Sequence, residues 1–532
     1  MIGSFRQSMT WLHTWAGLIF CWLLYLMFVT GTLGYFDDEI DRWMQPEREL
    51  RPDISLAENL RVAETYLQET AADADRWYIG LPNERTEPYL RVFWQGQVPE
   101  DENEERKTGN EELDVTTGQP FGEHVRETGG GQVLYRMHYR LHYLPDQAAF
   151  RFMGIVTLLM FVGIISGIIV HKKIFKDFFT FRPQKAKRSW LDMHNLLSVS
   201  TLPFQIMITY SGLLFVTFLW MPLVAFGGFG FDQEKTANML GNLTGEVQVE
   251  RSEEIRPLAP LAPMAAIAAQ EWGESEVHGF NIQFPNDANA RVTVSRKAGI
   301  SALSESMVFD GASGDLLESK PPHVNNTLAV GGTFIGLHEG LFAGPLLRWL
   351  YFLWGLMGTA MIATGAIYWV AKRKPKTADI PLGLGYRFVE KLNIGTIVGL
   401  LVGVAVYFLA NRLLPLGMAE RDHWEVHCMF IAWGLCLIHP LFRPARQAWI
   451  EQWWIAAGAF LAIPIVNALT TDAHLGNSLP AADWVLAGFD LTAIATAVVC
   501  AATAVFMSRR GQRVAAAKQA PEAVTGTIPS TS

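Results

Sequence analysis

Eight runs of apolar residues constrain this chain more than any other feature. Crossing roughly 30 Å of hydrocarbon takes about 20 apolar residues in a helix. Runs of that order lie at 11–35, 149–171, 194–222, 346–371, 392–414, 425–441, 453–470 and 484–507, the sixth being the shortest. Backbone in lipid must satisfy its own hydrogen bonds, so the runs predict α-helices. Charged residues make up 18% of the chain, below the roughly 25% of soluble domains, as surfaces facing lipid require. A net charge of -9 gives nucleic acid nothing to be drawn to. The expected class is a mainly α membrane protein in which membrane lipid is itself a partner.

Basic residues orient the spans. Lys172, Lys173, Lys176, Arg182, Lys185, Lys187 and Arg188 fall between the second and third runs, and Lys372, Arg373, Lys374, Lys376, Arg387 and Lys391 between the fourth and fifth. Arg443 and Arg446 follow, then Arg509, Arg510 and Arg513, whereas 471–483 has no Lys or Arg. Both termini are therefore expected in the cytoplasm. The end of the first run, "TGTLGYFDDEI", has no small-residue cleavage site, so that run reads as an uncleaved anchor. Residues 509–532, rich in Ser, Thr and Ala toward the end, are expected to form a disordered tail.

Two polar segments, about 37–148 and 223–345, then face outward. Each combines a helical stretch ("SLAENLRVAETYLQ", "PMAAIAAQEW") with short alternating strands ("EPYLRVFWQG", "ARVTVSR"). Each also carries a D-x-x-[ST]-G turn, in "ELDVTTGQPFGE" and "MVFDGASGDLLES". Asp in such a turn bonds its own backbone, and Gly supplies the positive φ. The shared order of helix, strands and turn, once within each pair of spans, predicts an internal repeat of α+β modules.

Histidines mark the ends of the first four runs. His13 ("LHTWAG"), His171 ("IIVHKK") and His194 ("LDMHNLLS") lie at the basic, inner side. His142 ("YRLHYLP") and His338 ("GLHEGLFAG") lie at the outer side, with His138 one turn before His142. Taken singly, each is more readily an interfacial anchor than a ligand. Recurrence at matched depths in a four-helix bundle argues for ligands, because ionisable groups in a membrane are costly. Bis-imidazole ligation of a b-type haem needs two neutral imidazoles from different helices, and bundle cores supply them. Gly17, Gly340 and Gly344 are the small residues nearest these histidines that would admit a porphyrin. The four cysteines, Cys21, Cys428, Cys436 and Cys500, form no C-x-x-C-H motif, so a haem would be noncovalent. No carboxylate or thiolate cluster accompanies the histidines, which disfavours a simple metal-ion site.

Four features together resemble the PepSY-associated transmembrane proteins, a family of iron-regulated or iron-uptake membrane proteins. They are LH-x-x-x-G opening the first run, LH ahead of the second, a basic loop then His opening the third, and "LHEGLFAG" before a fourth run ending "TGAIYWVAKRK". The resemblance covers about residues 1–376. It implies that the two polar segments are periplasmic PepSY-like modules in a bacterial inner-membrane protein. It also implies two noncovalent bis-His b haems, drawn from the matched positions His13, His142, His171, His194 and His338. His13, His171 and His194 compete for two inner positions, and His138 is in reserve. The activity implied is electron transfer to a ferric siderophore or other iron chelate, that is, a haem-dependent reductase.

The expected organisation is a first transmembrane helix (1–36), a module (37–148), helices two and three (149–222), a second module (223–345) and a fourth helix (346–376). A C-terminal four-helix membrane region follows at 377–508. There His423 and His427 stand four apart in "RDHWEVHCMF", a candidate metal pair, with His439 at the other end of the same run. Two histidines on one helix project the same way and rarely bind opposite faces of one haem. No G-x-G-x-x-G nucleotide fingerprint follows a strand, so the electron donor would be a cytoplasmic protein or a quinol. Two other functions fit the same residues: a non-enzymatic PepSY sensor or peptidase regulator, and a transporter of iron chelates or metal.

Overall fold

The computed structural model describes residues 4–48, 54–82, 89–99, 105–122, 125–171, 186–216, 249–252, 254–321, 326–374 and 383–519. The basic residues from Lys172 to Lys185 lie outside the described residues. The chain divides into two compact units, Met1–Lys372 and Arg373–Ser532.

In the first unit, α1 (Phe5–Leu33) begins where the Gln7 side chain accepts from the Ser4 backbone N–H at 2.8 Å. A short turn leads to α2 (Asp37–Met44) and then to α3 (Leu56–Ala71), which Ser55 caps by accepting from the Glu58 N–H. Four strands follow: β1 (Arg76–Gly80), β2 (Leu90–Gln95), β3 (Thr108–Asp114) and the two-residue β4 (Gln119–Pro120). Next come α4 (Gly130–Met137), α5 (Asp146–Val170), α6 (Ala186–Ser200) and α7 (Leu202–Phe215). The second polar segment forms α8 (Leu261–Trp272), β5 (Val277–Gln283), β6 (Arg291–Arg296), β7 (Ser306–Asp310) and β8 (Leu316–Lys320). It leads through α9 (Asn326–Glu339) to α10 (Pro345–Arg373).

The two polar segments build one eight-stranded antiparallel sheet in the order β4-β3-β2-β1-β5-β6-β7-β8. Each contributes four strands, and the halves join where β1 pairs β5, with Tyr78 opposite Asn281 and Ile79 opposite Phe280. Pairing the two inner strands removes two edges that would otherwise present open backbone groups. Alternation along the strands sends Trp77, Ile79, Leu90, Val92, Phe280, Ile282, Val292 and Phe309 to one face. There they share a single core with Leu60 and Leu67 of α3 and Met264 of α8. Each such side chain, fully buried, stabilises by about 1.5–3 kcal/mol relative to exposure. The turns take the form that their spacing predicts. Asp114 Oδ1 accepts from the Thr116 N–H and Gly118 has φ +72; Asp310 Oδ1 accepts from Ala312 and Ser313, and Gly314 has φ +80.

Seven helices among the described residues are long and apolar enough to cross a membrane, or eight if the pair α6–α7 is one bent span. The seven include α1, α5 and α10, so with α6–α7 the first unit supplies four. The bend of 69° falls at Thr201, because Pro203 has no N–H to donate to the preceding turn and its ring crowds it.

The second unit contains α11 (Leu384–Ile397), α12 (Gly399–Leu413), α13 (Arg421–Ile438), α14 (Ala445–Thr470), α15 (Leu475–Ser478) and α16 (Trp484–Gln519). The stretch expected to be a disordered tail is helical as far as Gln519. Arg421 is wholly buried and pairs with the equally buried Glu425 at 2.5 Å. Asn411 Nδ2 donates to the same carboxylate at 2.8 Å, and Arg412 Nε donates to Asn467 Oδ1 at 2.9 Å. Asn467 in turn donates to Asp490 at 3.1 Å. Such a network is stable only because its charges are matched and hydrogen-bonded.

Candidate functional site

Four of the histidines meet in two pairs. His13 on α1 and His194 on α6 have ring centroids 6.3 Å apart with planes at 61°. His138, which ends α4, and His338 on α9 have centroids 6.4 Å apart with planes at 25°. With a metal–imidazole bond of about 2 Å on each side and half a ring beyond, two imidazoles sharing one metal ion have centroids about 6 Å apart. Both pairs have that spacing.

Hydrogen bonds set the tautomers. His13 Nδ1 lies 2.9 Å from the Gly163 carbonyl of α5, and His194 Nδ1 lies 2.8 Å from the Met361 carbonyl of α10. A carbonyl only accepts, so each ring donates through Nδ1–H and keeps the Nε2 lone pair for a ligand. His138 Nδ1 bonds the Tyr135 carbonyl in the same way. His338 Nδ1 lies 2.9 Å from Ser211 Oγ, whose own proton is directed to the Met207 carbonyl at 2.6 Å. The hydroxyl therefore accepts from His338. Burial pushes the pKa of His138 down to about 4 and that of His338 down to about 3, which keeps both rings neutral as ligation demands.

A glycine stands against every one of these rings. A Cβ at Gly167 would lie 3.1 Å from His13 Cε1, and one at Gly365 would lie 3.1 Å from His194 Cε1. At Gly212 it would lie 3.3 Å from His338 Cε1, and at Gly31 it would lie 3.4 Å from His138 Cβ. These are not the glycines nearest the histidines in sequence. Gly17 and Gly344 have nothing within 4 Å of such an atom, and Gly340 faces Tyr351 and Tyr35.

The pairs obey an internal repeat that includes the helices. His13 precedes Gly31 by 18 residues, and His194 precedes Gly212 by the same 18. On the partner helices, the accepting carbonyl precedes its glycine by four residues in each case, Gly163 to Gly167 and Met361 to Gly365. Along α1, 18 residues rise about 27 Å, close to the thickness of the hydrocarbon. The two pairs thus stand near opposite ends of the membrane-crossing helices.

Between His138 and His338 lies a cavity of about 340 Å³, lined also by Gly31, Gly212, Phe28, Thr157, Phe215 and Glu339. Burial raises the Glu339 pKa. Tyr135 and Tyr139 meet the His138 ring edge-on, each at 5.0 Å. Two opposed neutral imidazoles, glycines that let a flat ring approach the backbone and an aromatic, mostly apolar wall fit a haem.

A family model for the PepSY-associated TM region matches residues 10–372. The chain belongs to that family. The match ends where the first compact unit ends, so both histidine pairs lie inside the region this PepSY-associated chain shares with its family. No curated protein matches the chain.

Of the sequence candidates, His13, His194 and His338 enter the pairs. The chain turns after α4; the ring opposite His338 is that of His138, and the His142 ring packs on Tyr143 at 4.8 Å. His138, one turn earlier, holds that place. His171 ends α5 with its backbone N–H on the Gly167 carbonyl and is half-buried, next to the pair but outside it. In the second unit, exposed His423 lies 3.0 Å from Asp422, and the His427 ring packs on Trp424 at 5.3 Å. His439 lies 2.9 Å from Glu451. Among the described residues no group of three or more His, Cys, Asp or Glu side chains is placed to hold a metal ion.

Proposed function

We propose that this PepSY-associated protein is an inner-membrane electron carrier with two noncovalent b-type haems, delivering electrons to a ferric siderophore or other iron chelate outside. The observation that carries this reading is the pair of imidazole pairs, 6.3 Å and 6.4 Å between centroids, at the two ends of one helical unit. Haem bound there supplies an iron that exchanges one electron with little movement of its ligands. The chain's own contribution is to hold each Nε2 lone pair in place through the opposite nitrogen, and to exclude water with Phe28, Phe215 and the glycine-lined walls. Dithionite reduction of the purified protein should give low-spin b-type bands, and acid acetone should extract the pigment. A colourless preparation from haem-replete cells would sink the reading and favour a sensor or a chelate transporter.

Direction follows from topology. The basic residues put the His13–His194 end inside, facing a cytoplasmic or quinol donor, and the sheet outside. A phosphatase fused near Asp114 or Asp310 should be active and one near Lys185 inactive. The opposite pattern would reverse the direction of flow.

A further inference from the structure

The sheet has one face under α3 and α8. Its other face carries a second pocket, of about 210 Å³, lined by Arg48, Arg91, Asn110, Glu111, Glu112 and Phe121. Strand register sorts the charges. Glu112 is opposite Arg91, on the pocket's face, whereas Glu111 is opposite the core-facing Val92 and belongs to the other face. Among the described residues that line the pocket, two guanidinium groups therefore meet one carboxylate, leaving one positive charge in excess.

Arg48 pairs with Glu112, and its guanidinium carbon lies 4.8 Å from the ring centroids of both Tyr89 and Phe121. Stacking on two rings fixes the plane of the guanidinium. Arg48 Nε and Tyr89 Oη are buried with no hydrogen-bond partner among the described residues. Buried donors of this kind are costly unless something fills them. Arg91 donates through Nε to Asn110 Oδ1 at 2.9 Å and makes no ion pair among the described residues. Among the described residues its remaining N–H groups have no acceptor, which leaves them for a forked bond to an oxyanion.

We propose that this pocket binds the carboxylate of an iron chelate on the open face of the sheet. The iron part of the proposal rests on the function proposed above. The position suits it: Asp41, on the helix that leads to Arg48, accepts from the Gly131 N–H at 2.7 Å, in the first turn of α4. His138 stands at the far end of that helix, about 10 Å along its axis. Phosphate shares the oxyanion chemistry, so the test must separate the two sources.

The experiment is equilibrium dialysis of radiolabelled ferric citrate against the oxidised full chain in detergent, with inorganic phosphate titrated in parallel. Arg91→Gln should weaken ferric citrate binding tenfold or more, in line with a charge-assisted pair of about 1.5–3 kcal/mol. Arg91→Lys, which keeps the charge and loses the fork, should fall between. Thermal midpoints matching the unmodified protein identify the variants that fold. Unchanged affinity in Arg91→Gln overturns the proposal, as does binding of phosphate without binding of ferric citrate. Binding is read with no electron transfer. A chain without haem would therefore refute the proposed function alone, and a haem-loaded chain indifferent to Arg91 would refute the pocket alone.

Discussion

Replacing His338 by Ala is expected to remove about half of the bound haem, that held at the sheet end, and to leave the other half spectrally unchanged. The imidazole pair at that end is His138 and His338, 6.4 Å apart. An iron that keeps only one of two axial ligands is lost or becomes high-spin, because coordination on one face is no longer filled. His138→Ala should match His338→Ala in haem content and in the loss of chelate reduction. His142→Ala should keep both haems, since the ring opposite His338 is that of His138. Haem extracted per mole of protein, together with the reduced-minus-oxidised spectrum, measures each case. A full complement in His138→Ala beside half in His142→Ala would move the axial role one helical turn along the chain.

That contrast also shows where the sequence stops being readable. The lengths and apolarity of the spans are local properties, and seven of the eight expected runs fall on helices long and apolar enough to cross a membrane, whereas the third, 194–222, is broken by a bend of 69° and continues beyond the described residues. His13, His194 and His338 are legible for the same reason, each being a polar residue at the end of an apolar run. Choosing between His138 and His142 needs the end of α4, which is set by tertiary packing: the His138 ring rests on Gly31, a residue more than a hundred positions earlier. The glycine signal is present as a spacing of 18 from His13 to Gly31 and from His194 to Gly212. Proximity in sequence points instead to Gly17 and Gly344, which touch nothing near enough. The joining of the two polar segments into one sheet is illegible because strand patterns record which face is buried, not which edge finds a partner some 200 residues away. The burial of Arg421 and Glu425 is illegible too, because nothing local in the sequence says that each charge finds the other as a buried partner.

The second large effect is expected at the other end of the bundle. His194→Ala should abolish reduction by the cytoplasmic or quinol donor, while an impermeant reductant added on the sheet side still reduces the remaining haem. Loss of mere outer partners of a metal ligand costs about 10–100-fold in affinity or activity, so loss of the ligand itself should slow donor-driven chelate reduction more than about 100-fold. His13→Ala should do the same, because the two rings face one another at 6.3 Å and each is held by a carbonyl of a neighbouring helix. His171 tests the assignment from the side. It is half-buried, with its backbone N–H on Gly167, the glycine under the His13 ring, and its replacement should leave haem content whole and alter donor-driven rates only modestly. Rapid-mixing spectra, with donor on one side and reductant on the other, distinguish electrons that arrive from inside from those that arrive from outside. If His194→Ala kept both haems and its full donor-driven rate, the paired rings would be anchors at the membrane surface. Electrons from the donor would then reach the chelate by a route that does not need the His13–His194 pair.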